Sequence, residues 1–297
     1  TTSAPAFPPT GDLVKIPSFA FPGRAEYRFP LALSPRVRRD LKAFKPNLIH
    51  IASPDVVGHR AVSYGRSRGL PVVASVHTRF ETYPRYYGLA FLEPVLEAIL
   101  LRIDRLCDTI VAPSESMAQV LREQRMSYDV GIWTRGVDRD IFSPGKRDMA
   151  WRRERGIGDD EPVIGFVGRL VMEKGLDVFS ETIEKLEHRV LVVGEGPARS
   201  WFEGRLANGV FAGFQNGANL GRAVASMDML FNPSVTETFG NVTLEAMACG
   251  LPVVAAIATG SQSLVKDGES GRLIRPGATS AFADALQHYC EDRAARD

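Results

Sequence analysis

The stretch Asn232-Pro-Ser-Val-Thr-Glu237-Thr-Phe-Gly240-Asn-Val-Thr-Leu-Glu245-Ala-Met-Ala-Cys-Gly250 decides how the second half of this chain folds. The apolar run before it, Met229-Leu-Phe231, is typical of a buried parallel strand, and Val242 to Ala248 is predicted to be a helix. Ligands of open α/β sheets bind beyond the carboxyl ends of the strands, often against a helix N-terminus, so the loop between strand and helix is a candidate ligand site. Taken alone, the stretch is explained equally well by an amphipathic helix with two solvated glutamates, Glu237 and Glu245.

Composition excludes several classes of protein. With 297 residues, 44% hydrophobic and 24% charged, the chain is expected to form about one to two globular domains. A net charge of +1 gives no electrostatic reason to expect nucleic acid as a partner. No apolar run approaches the ~20 residues of a membrane span, and the first residues lack the pattern of an export signal. Cys107, Cys249 and Cys290 lie far apart, so we expect free thiols, no metal site and a cytoplasmic location.

Strands alternate with helices along most of the chain, which predicts doubly wound parallel sheets. The predicted strands of the first half are Leu48–Ala52, Pro71–Val76, Thr109–Ala112 and Val130–Trp133, with an edge strand at Val14–Pro17. Those of the second half are at 163–167, 190–193, 210–212, 229–231, 252–255 and 272–274. We therefore predict an α/β protein of two Rossmann-like domains, residues 1–143 and 144–297, that face each other across a cleft.

The first domain departs from this pattern at its start. A doubly wound domain usually opens with a strand and a glycine-rich turn, and neither precedes Leu48. We therefore expect an N-terminal domain that is truncated at its beginning.

Two cations follow the first predicted strand of the second domain, in Gly165-Phe-Val-Gly168-Arg169-Leu-Val-Met-Glu-Lys174-Gly175. Arginine offers a planar fork and lysine a point charge, and both suit a diphosphate at the carboxyl end of a strand. A solvated basic loop is the equally good alternative for this segment alone.

Weaker signals follow the next two strands. Gly194-Glu-Gly196-Pro is similar to a nucleotide-binding turn but has too few glycines for the dinucleotide fingerprint. Phe214 offers an aromatic face that could meet a base, although an aromatic residue at such a position more often belongs to the core.

The first domain contributes a histidine, His77, at the carboxyl end of a predicted strand. A histidine there is a candidate for binding a transferred group or for moving protons, and a buried histidine with a backbone partner is the usual alternative. The aromatic and basic residues 79–91 could line an acceptor site or touch a membrane, or pack a loop. For Arg135-Gly-Val-Asp138 we expect a left-handed turn with a structural Arg–Asp pair.

Together these motifs resemble the retaining nucleotide-sugar glycosyltransferases of family 4, which have the GT-B fold. The likeness covers the chain from about Leu31 onward and depends on four segments: Gly168–Gly175, Gly194–Pro197, Arg135–Pro144 and the E-x7-E pair inside Thr236–Val254. A narrower likeness, through Phe44–His50 and Ser75–Arg79, is to sulfolipid synthase and bacterial glycolipid and α-mannosyl transferases.

The resemblance implies a role for each site residue. Arg169 and Lys174 would bind the donor diphosphate, Glu245 the ribose, Glu237 the donor sugar, and His77 the same sugar from the opposite domain. The expected donor-binding set is completed by Gly168, Gly194, Gly196, Phe214, Phe239, Gly240, Asn241 and Val242. Family members need no metal or other cofactor.

The resemblance also implies the reaction and its partners. We expect a hexose to pass, with retention of configuration, from a UDP-sugar or GDP-mannose to a lipid-linked or glycan hydroxyl, with peripheral contact at the inner face of a membrane. The alternative is a nucleotide-binding module that cannot catalyse transfer because the N-terminal segment is missing.

Overall fold

The computed structural model describes residues 11–21, 24–30, 32–124 and 129–296. Contacts divide them into two compact units. The N-terminal unit comprises the described residues up to Ala112 together with Ala118–Trp133, and the C-terminal unit comprises Pro113–Met117 together with the residues from Thr134 on. The domain boundary at residue 143 stays a prediction.

The N-terminal unit has two sheets. A hairpin pairs β1 (Ser18–Phe21) with β2 (Arg24–Pro30), and a parallel sheet holds β3 (Ile49–Ile51), β4 (Val72–Ser75), β5 (Thr109–Ala112) and β6 (Val130–Ile132) in chain order. All four predicted parallel strands are confirmed. The predicted strand at Val14–Pro17 is wrong, because pairing begins only at Ser18, after a proline that has no N–H to donate.

Of the helices described in this part, the first two begin after residues whose side chains satisfy free N–H groups of the first turn. The helices are α1 (Pro35–Phe44), α2 (Val56–Arg66), α3 (Glu93–Asp104) and α4 (Glu115–Glu123). The Ser34 hydroxyl accepts from the Val37 N–H at 3.3 Å, as its place before a proline predicts. The Asp55 carboxylate accepts from the N–H groups of Val57 and Gly58 at 2.8 and 2.9 Å.

The C-terminal unit is a doubly wound six-stranded parallel sheet. Its strands are β7 (Val163–Val167), β8 (Arg189–Val193), β9 (Gly209–Gly213), β10 (Met229–Asn232), β11 (Val253–Ala256) and β12 (Gly271–Ile274), in the order β12-β11-β10-β7-β8-β9. Its helices are α5 (Met149–Arg153), α6 (Leu176–Ile183), α7 (Arg199–Glu203), α8 (Gly217–Ala225), α9 (Asn241–Ala248), α10 (Thr259–Leu264), α11 (Thr279–Glu291) and α12 (Arg293–Arg296). All six strands predicted in this half are confirmed.

Apolar layers cover both faces of this sheet, because successive strand residues point to opposite sides. One layer contains Phe166 and Phe231 with aromatic residues of the helices, and the rings of Phe179 and Phe231 stack with centroids 4.8 Å apart. The other contains Leu191 and Val253 with residues of α8 and α9. Parallel strands end at one edge, so the loops after β7, β8 and β10 are neighbours there.

A buried arginine braces the opposite edge of the sheet. Arg152 on α5 has no exposed surface, and its guanidinium donates to the Ser226 carbonyl at 2.7 Å, the Glu161 carbonyl at 2.6 Å and the Asp228 carboxylate at 3.0 Å. Buried charges persist only with such partners, so this network fixes α5 against the sheet.

Candidate functional site

The loop after β10 brings a carboxylate and an ammonium group together at the carboxyl edge of the sheet. The Glu237 carboxylate accepts from the Lys174 ammonium at 2.5 Å, and these side chains are 18% and 33% exposed. Gly240 ends the loop with φ +88°, a left-handed conformation that favours glycine, and α9 begins at the next residue. The first-turn N–H groups of a helix have no partners within it, so Asn241 and Val242 start a site suited to an anion.

Lys174 reaches this position through the loop after β7. A short 3-10 turn, Met172–Lys174, ends at Gly175 with φ +74°, and a β-carbon at Gly175 would lie 3.1 Å from the Pro233 carbonyl oxygen. The Thr236 hydroxyl donates to the Glu173 carbonyl at 3.2 Å and joins the two loops. Arg169, half-buried, precedes this turn in the same loop.

The glycines after β8 allow two chain segments to pass at backbone distance. A β-carbon at Gly194 would lie 1.9 Å from the Gly168 carbonyl oxygen, and one at Gly196 would lie 2.3 Å from that of Leu170. The Leu170 N–H donates to the Glu195 carbonyl at 3.0 Å, which continues strand-like pairing beyond the sheet. Close packing of two loops explains these glycines without a ligand, and their donor contacts stay a prediction.

Glu245 lies on α9 and is half-buried. Burial raises the pKa of its carboxyl group from 4.5 to about 7, so the group is only partly ionised at neutral pH. A ligand that donates hydrogen bonds, such as a pair of ribose hydroxyls, would favour the ionised form. The Phe239 ring is buried and anchors the loop, whereas Phe214 beyond β9 is 70% exposed.

His77 follows β4 in the N-terminal unit and is half-buried. Close to it in sequence, the Arg79 guanidinium donates to the buried Glu81 carboxylate at 2.8 Å, at the start of the 3-10 helix Phe80–Tyr87. Of the predicted aromatic and basic run, the side chains of Tyr83 and residues 85–87 lie outside the described part, so the acceptor or membrane role of residues 79–91 stays a prediction.

The turn predicted at Arg135-Gly-Val-Asp138 is wrong. Gly136 has no left-handed backbone, and the ion pairs of the described residues include none between Arg135 and Asp138. Instead the Asp138 carboxylate accepts from the N–H of Asp140 at 2.9 Å, and its carbonyl accepts from that of Phe142 at 2.8 Å. Asp138 therefore starts a local turn through its own backbone, which an aspartate does readily.

Sequence reasoning missed the residues that hold the loop carbonyls. The Glu237 carbonyl accepts from the Thr259 hydroxyl at 2.7 Å and from the Gly260 N–H at 2.8 Å. The Thr238 carbonyl accepts from the Ser114 hydroxyl at 2.9 Å. The only sequence signal was a threonine and a glycine at a helix start, which is too common to single out.

Among the described residues, no helix has both the length and the apolar character to cross a membrane.

Known structures identify the fold. The chain superposes on sucrose-phosphate synthase from Thermosynechococcus elongatus with a TM-score of 0.73 at 21% identity, over 87% of this chain and 68% of that one. It superposes on Anabaena HepE, solved in complex with UDP-glucose, with a TM-score of 0.71 at 21% identity, over 89% and 74%. The predicted α/β class and GT-B glycosyltransferase fold are confirmed, and the predicted truncation of the first domain stays a prediction.

Sequence relatives identify the family. The family model "Glycosyltransferase Family 4" matches residues 1–141, and "Glycosyl transferases group 1" matches residues 161–292. The chain is 33% identical to a GDP-mannose-dependent α-mannosyltransferase of Mycobacterium tuberculosis, over 94% of this chain and 73% of the relative. It is also 33% identical to the sulfoquinovosyl transferase SQD2 of Arabidopsis thaliana, over 94% of this chain but only 57% of the relative. The chain belongs to family 4 of the glycosyltransferases.

Proposed function

We propose that this protein transfers a hexose from a nucleoside diphosphate sugar to a hydroxyl acceptor, with retention of configuration and without a metal ion or other cofactor. The observation that carries the proposal is the Lys174–Glu237 pair beside the N-terminus of α9. A cation, a carboxylate and free helix N–H groups at one sheet edge suit the phosphates and the sugar of such a donor. GDP-mannose, on which a relative depends by name, and UDP-glucose, bound in the HepE structure, belong to this chemical class.

The proposed transfer depends on stabilisation of the leaving nucleoside diphosphate. An ammonium group has three N–H donors, so Lys174 can hold Glu237 and still donate to a phosphate oxygen. Arg169 adds a second fixed charge, and both offset the negative charge that develops as the sugar–phosphate bond breaks. The acceptor oxygen attacks on the face that the nucleotide leaves, which retains the configuration; no nucleophile is assigned.

The remaining roles follow the family resemblance. Glu237 and the backbone of residues 239 and 240 bind the hydroxyls of the donor sugar, and Glu245 binds the ribose. His77 is assigned to the transferred sugar on the resemblance alone.

We further propose a lipid-linked or glycan acceptor and peripheral binding to an anionic membrane through α1. No residue of α1 is buried, and Phe44 at its end is 72% exposed. Three of its cations line a groove of about 420 Å³ together with cations of the α2 region: Arg38, Arg39, Lys42, Arg60 and Arg68. A basic helix with an exposed aromatic residue is typical of a segment that lies on a bilayer, where each cation contributes ~1 kcal/mol.

The membrane proposal is tested by co-sedimentation with vesicles. We expect binding to phosphatidylglycerol vesicles that weakens with salt and is lost when Arg38, Arg39 and Lys42 are replaced by serine. The proposal would be contradicted if the wild type and the triple serine variant sedimented equally with phosphatidylglycerol vesicles. It would also be contradicted if the wild type bound phosphatidylcholine vesicles as well as phosphatidylglycerol vesicles.

The donor proposal is tested by calorimetric titration with UDP-glucose and GDP-mannose. We expect one of them to bind, and Lys174→Met to weaken binding at least tenfold because a phosphate loses its cation. Lys266→Met is the matched control, since Lys266 lies 77% exposed on a surface turn. A wild-type protein that binds neither donor, or a Lys174→Met protein that binds as well as wild type, would refute the proposal.

A further inference from the structure

The backbone carbonyls of Glu237 and Thr238 accept hydrogen bonds from residues that lie outside their own loop. Thr259 and Gly260 donate to the Glu237 carbonyl at 2.7 and 2.8 Å. Ser114 donates to the Thr238 carbonyl at 2.9 Å. The backbone orientation of Glu237 is therefore set from outside its own loop.

These outer residues are themselves held in place. The Ser116 hydroxyl donates to the carbonyl of Thr259, whose own hydroxyl donates to Glu237, and it lies 2.5 Å from the Ser263 hydroxyl. Ser114 is 3% exposed and its hydroxyl also accepts from the Met117 N–H at 3.3 Å. All these residues belong to the C-terminal unit, which includes Pro113–Met117 and so the first turn of α4. Because the Ser114 and Ser116 hydroxyl oxygens lie 3.2 Å apart, four residues form one connected network, the hydroxyl clamp: Ser114, Ser116, Thr259 and Ser263.

The clamp acts on a segment that has little internal structure of its own. Residues 233–240 form no helix or strand, and the chain leaves the segment at Gly240, a flexible residue type. At Gly260 a β-carbon would lie 2.7 Å from the backbone carbon of Phe239, so the clamp touches the loop at backbone distance. Thr238 is buried, and its carbonyl would lose the hydrogen bond from Ser114 if Ser114 lost its hydroxyl, which would allow the loop to shift.

We infer that Ser114 and Thr259 are positioning residues that hold Glu237 against the sugar of the bound donor. The inference rests on the proposed function. Neither residue is assigned to the phosphates or the nucleoside, which meet Arg169, Lys174 and Glu245. Loss of the clamp therefore weakens binding of the sugar and leaves binding of the nucleotide unchanged.

The test compares the affinities of a nucleoside diphosphate and of its sugar conjugate, by calorimetry on the full chain. The probes are UDP with UDP-glucose and GDP with GDP-mannose, whichever pair the wild type binds. In Ser114→Ala and in Thr259→Val we expect about tenfold weaker binding of the conjugate, the 1.4 kcal/mol of one lost hydrogen bond, and less than a twofold change for the nucleotide. Ser114→Thr and Thr259→Ser keep the hydroxyl group, so we expect both variants to bind the sugar conjugate as tightly as the wild type does.

Two further variants separate positioning from general loss of stability. Thr182→Val removes a buried hydroxyl that donates to the Val178 carbonyl at 2.7 Å on α6, and it leaves both affinities unchanged. Ser116→Ala, one bond farther from the loop, gives the same selective effect at roughly threefold. It also keeps the inference testable if Ser114→Ala does not fold.

Equal affinity losses for nucleotide and conjugate, or no loss in any clamp variant, would overturn the inference and leave the proposed function intact. A wild-type protein that binds neither member of either pair would overturn both.

Discussion

We predict that the half-buried carboxyl group of Glu245 makes donor affinity depend on pH in a defined window. With a pKa of about 7, the group is about 10% ionised at pH 6 and about 90% ionised at pH 8. A carboxylate accepts two hydroxyl hydrogen bonds and forms them about twice as strongly as the neutral acid does. If the ribose binds the ionised form, affinity rises about tenfold from pH 6 to pH 8, equivalent to 1.4 kcal/mol, and is level above pH 8.

The assay is calorimetric titration with a nucleoside diphosphate sugar at several pH values. The conjugate is preferable to the free diphosphate, whose terminal phosphate titrates in this window. Glu245→Gln keeps the size of the side chain but cannot ionise, so its affinity is low and lacks this rise. Glu269→Gln is the control, because the Glu269 side chain is 74% exposed on a surface turn.

The reasoning fails if wild type and Glu245→Gln have parallel affinity profiles. It also fails if affinity falls as pH rises through 7, because the neutral acid would then be the binding form.

Three further predictions concern stability. Burial, and to a smaller extent the charge of Glu81, raises the pKa of Asp104 from 3.8 to about 7. The folded state therefore binds this proton more tightly than the unfolded state does. As a result, the free energy of unfolding falls by up to about 4 kcal/mol as pH rises from 4 to 7. Urea titrations should find Asp104→Asn more stable than wild type at pH 8, by far more than at pH 4. Gly194→Ala should cost about 2–4 kcal/mol, because its β-carbon overlaps the Gly168 carbonyl oxygen. Arg152→Met should cost about 3–5 kcal/mol, because it breaks a buried ion pair with Asp228 and leaves the Ser226 and Glu161 carbonyls without this donor.

Matched controls separate these effects from general sensitivity to substitution. Gly156 also has a left-handed backbone but has no atom within 4 Å of an added β-carbon, so Gly156→Ala should cost only about 1–2 kcal/mol. Arg153 is 62% exposed in its pair with Asp159, so Arg153→Met should leave the free energy of unfolding nearly unchanged. Equal losses in variant and control would contradict the structural explanation in either case.

The parallel sheets were predictable because buried strands are short apolar runs bounded by glycine, proline or polar residues. Val163–Val167 and Val253–Ala256 show this pattern, and both are strands. The β1–β2 hairpin was missed because its residues, Ser-Phe-Ala-Phe and Arg-Ala-Glu-Tyr-Arg-Phe-Pro, lack a clear alternation of apolar and polar types.

The candidate site was predictable only in part. The spacing of motifs along parallel strands placed Lys174 and Glu237 at one edge, and the structure brings them together. The hydroxyl clamp was not predictable, because Ser114 and Thr259 reach the loop only through tertiary packing, from 124 residues away in the sequence for Ser114 and 22 for Thr259. The burial of Glu245 is likewise a tertiary effect, since its sequence neighbours do not reveal what covers its carboxyl group.

The most direct test of the proposed function measures release of nucleoside diphosphate and transfer of labelled sugar from UDP-glucose or GDP-mannose to a lipid extract. The same assay is run on Glu237→Ala, with the nucleotide affinity of each protein measured in parallel. We predict transfer by the wild type that is abolished in Glu237→Ala while binding of the nucleotide persists. Transfer at near-normal rate by Glu237→Ala would contradict the account, as would a wild-type protein that binds a donor but transfers its sugar to no acceptor.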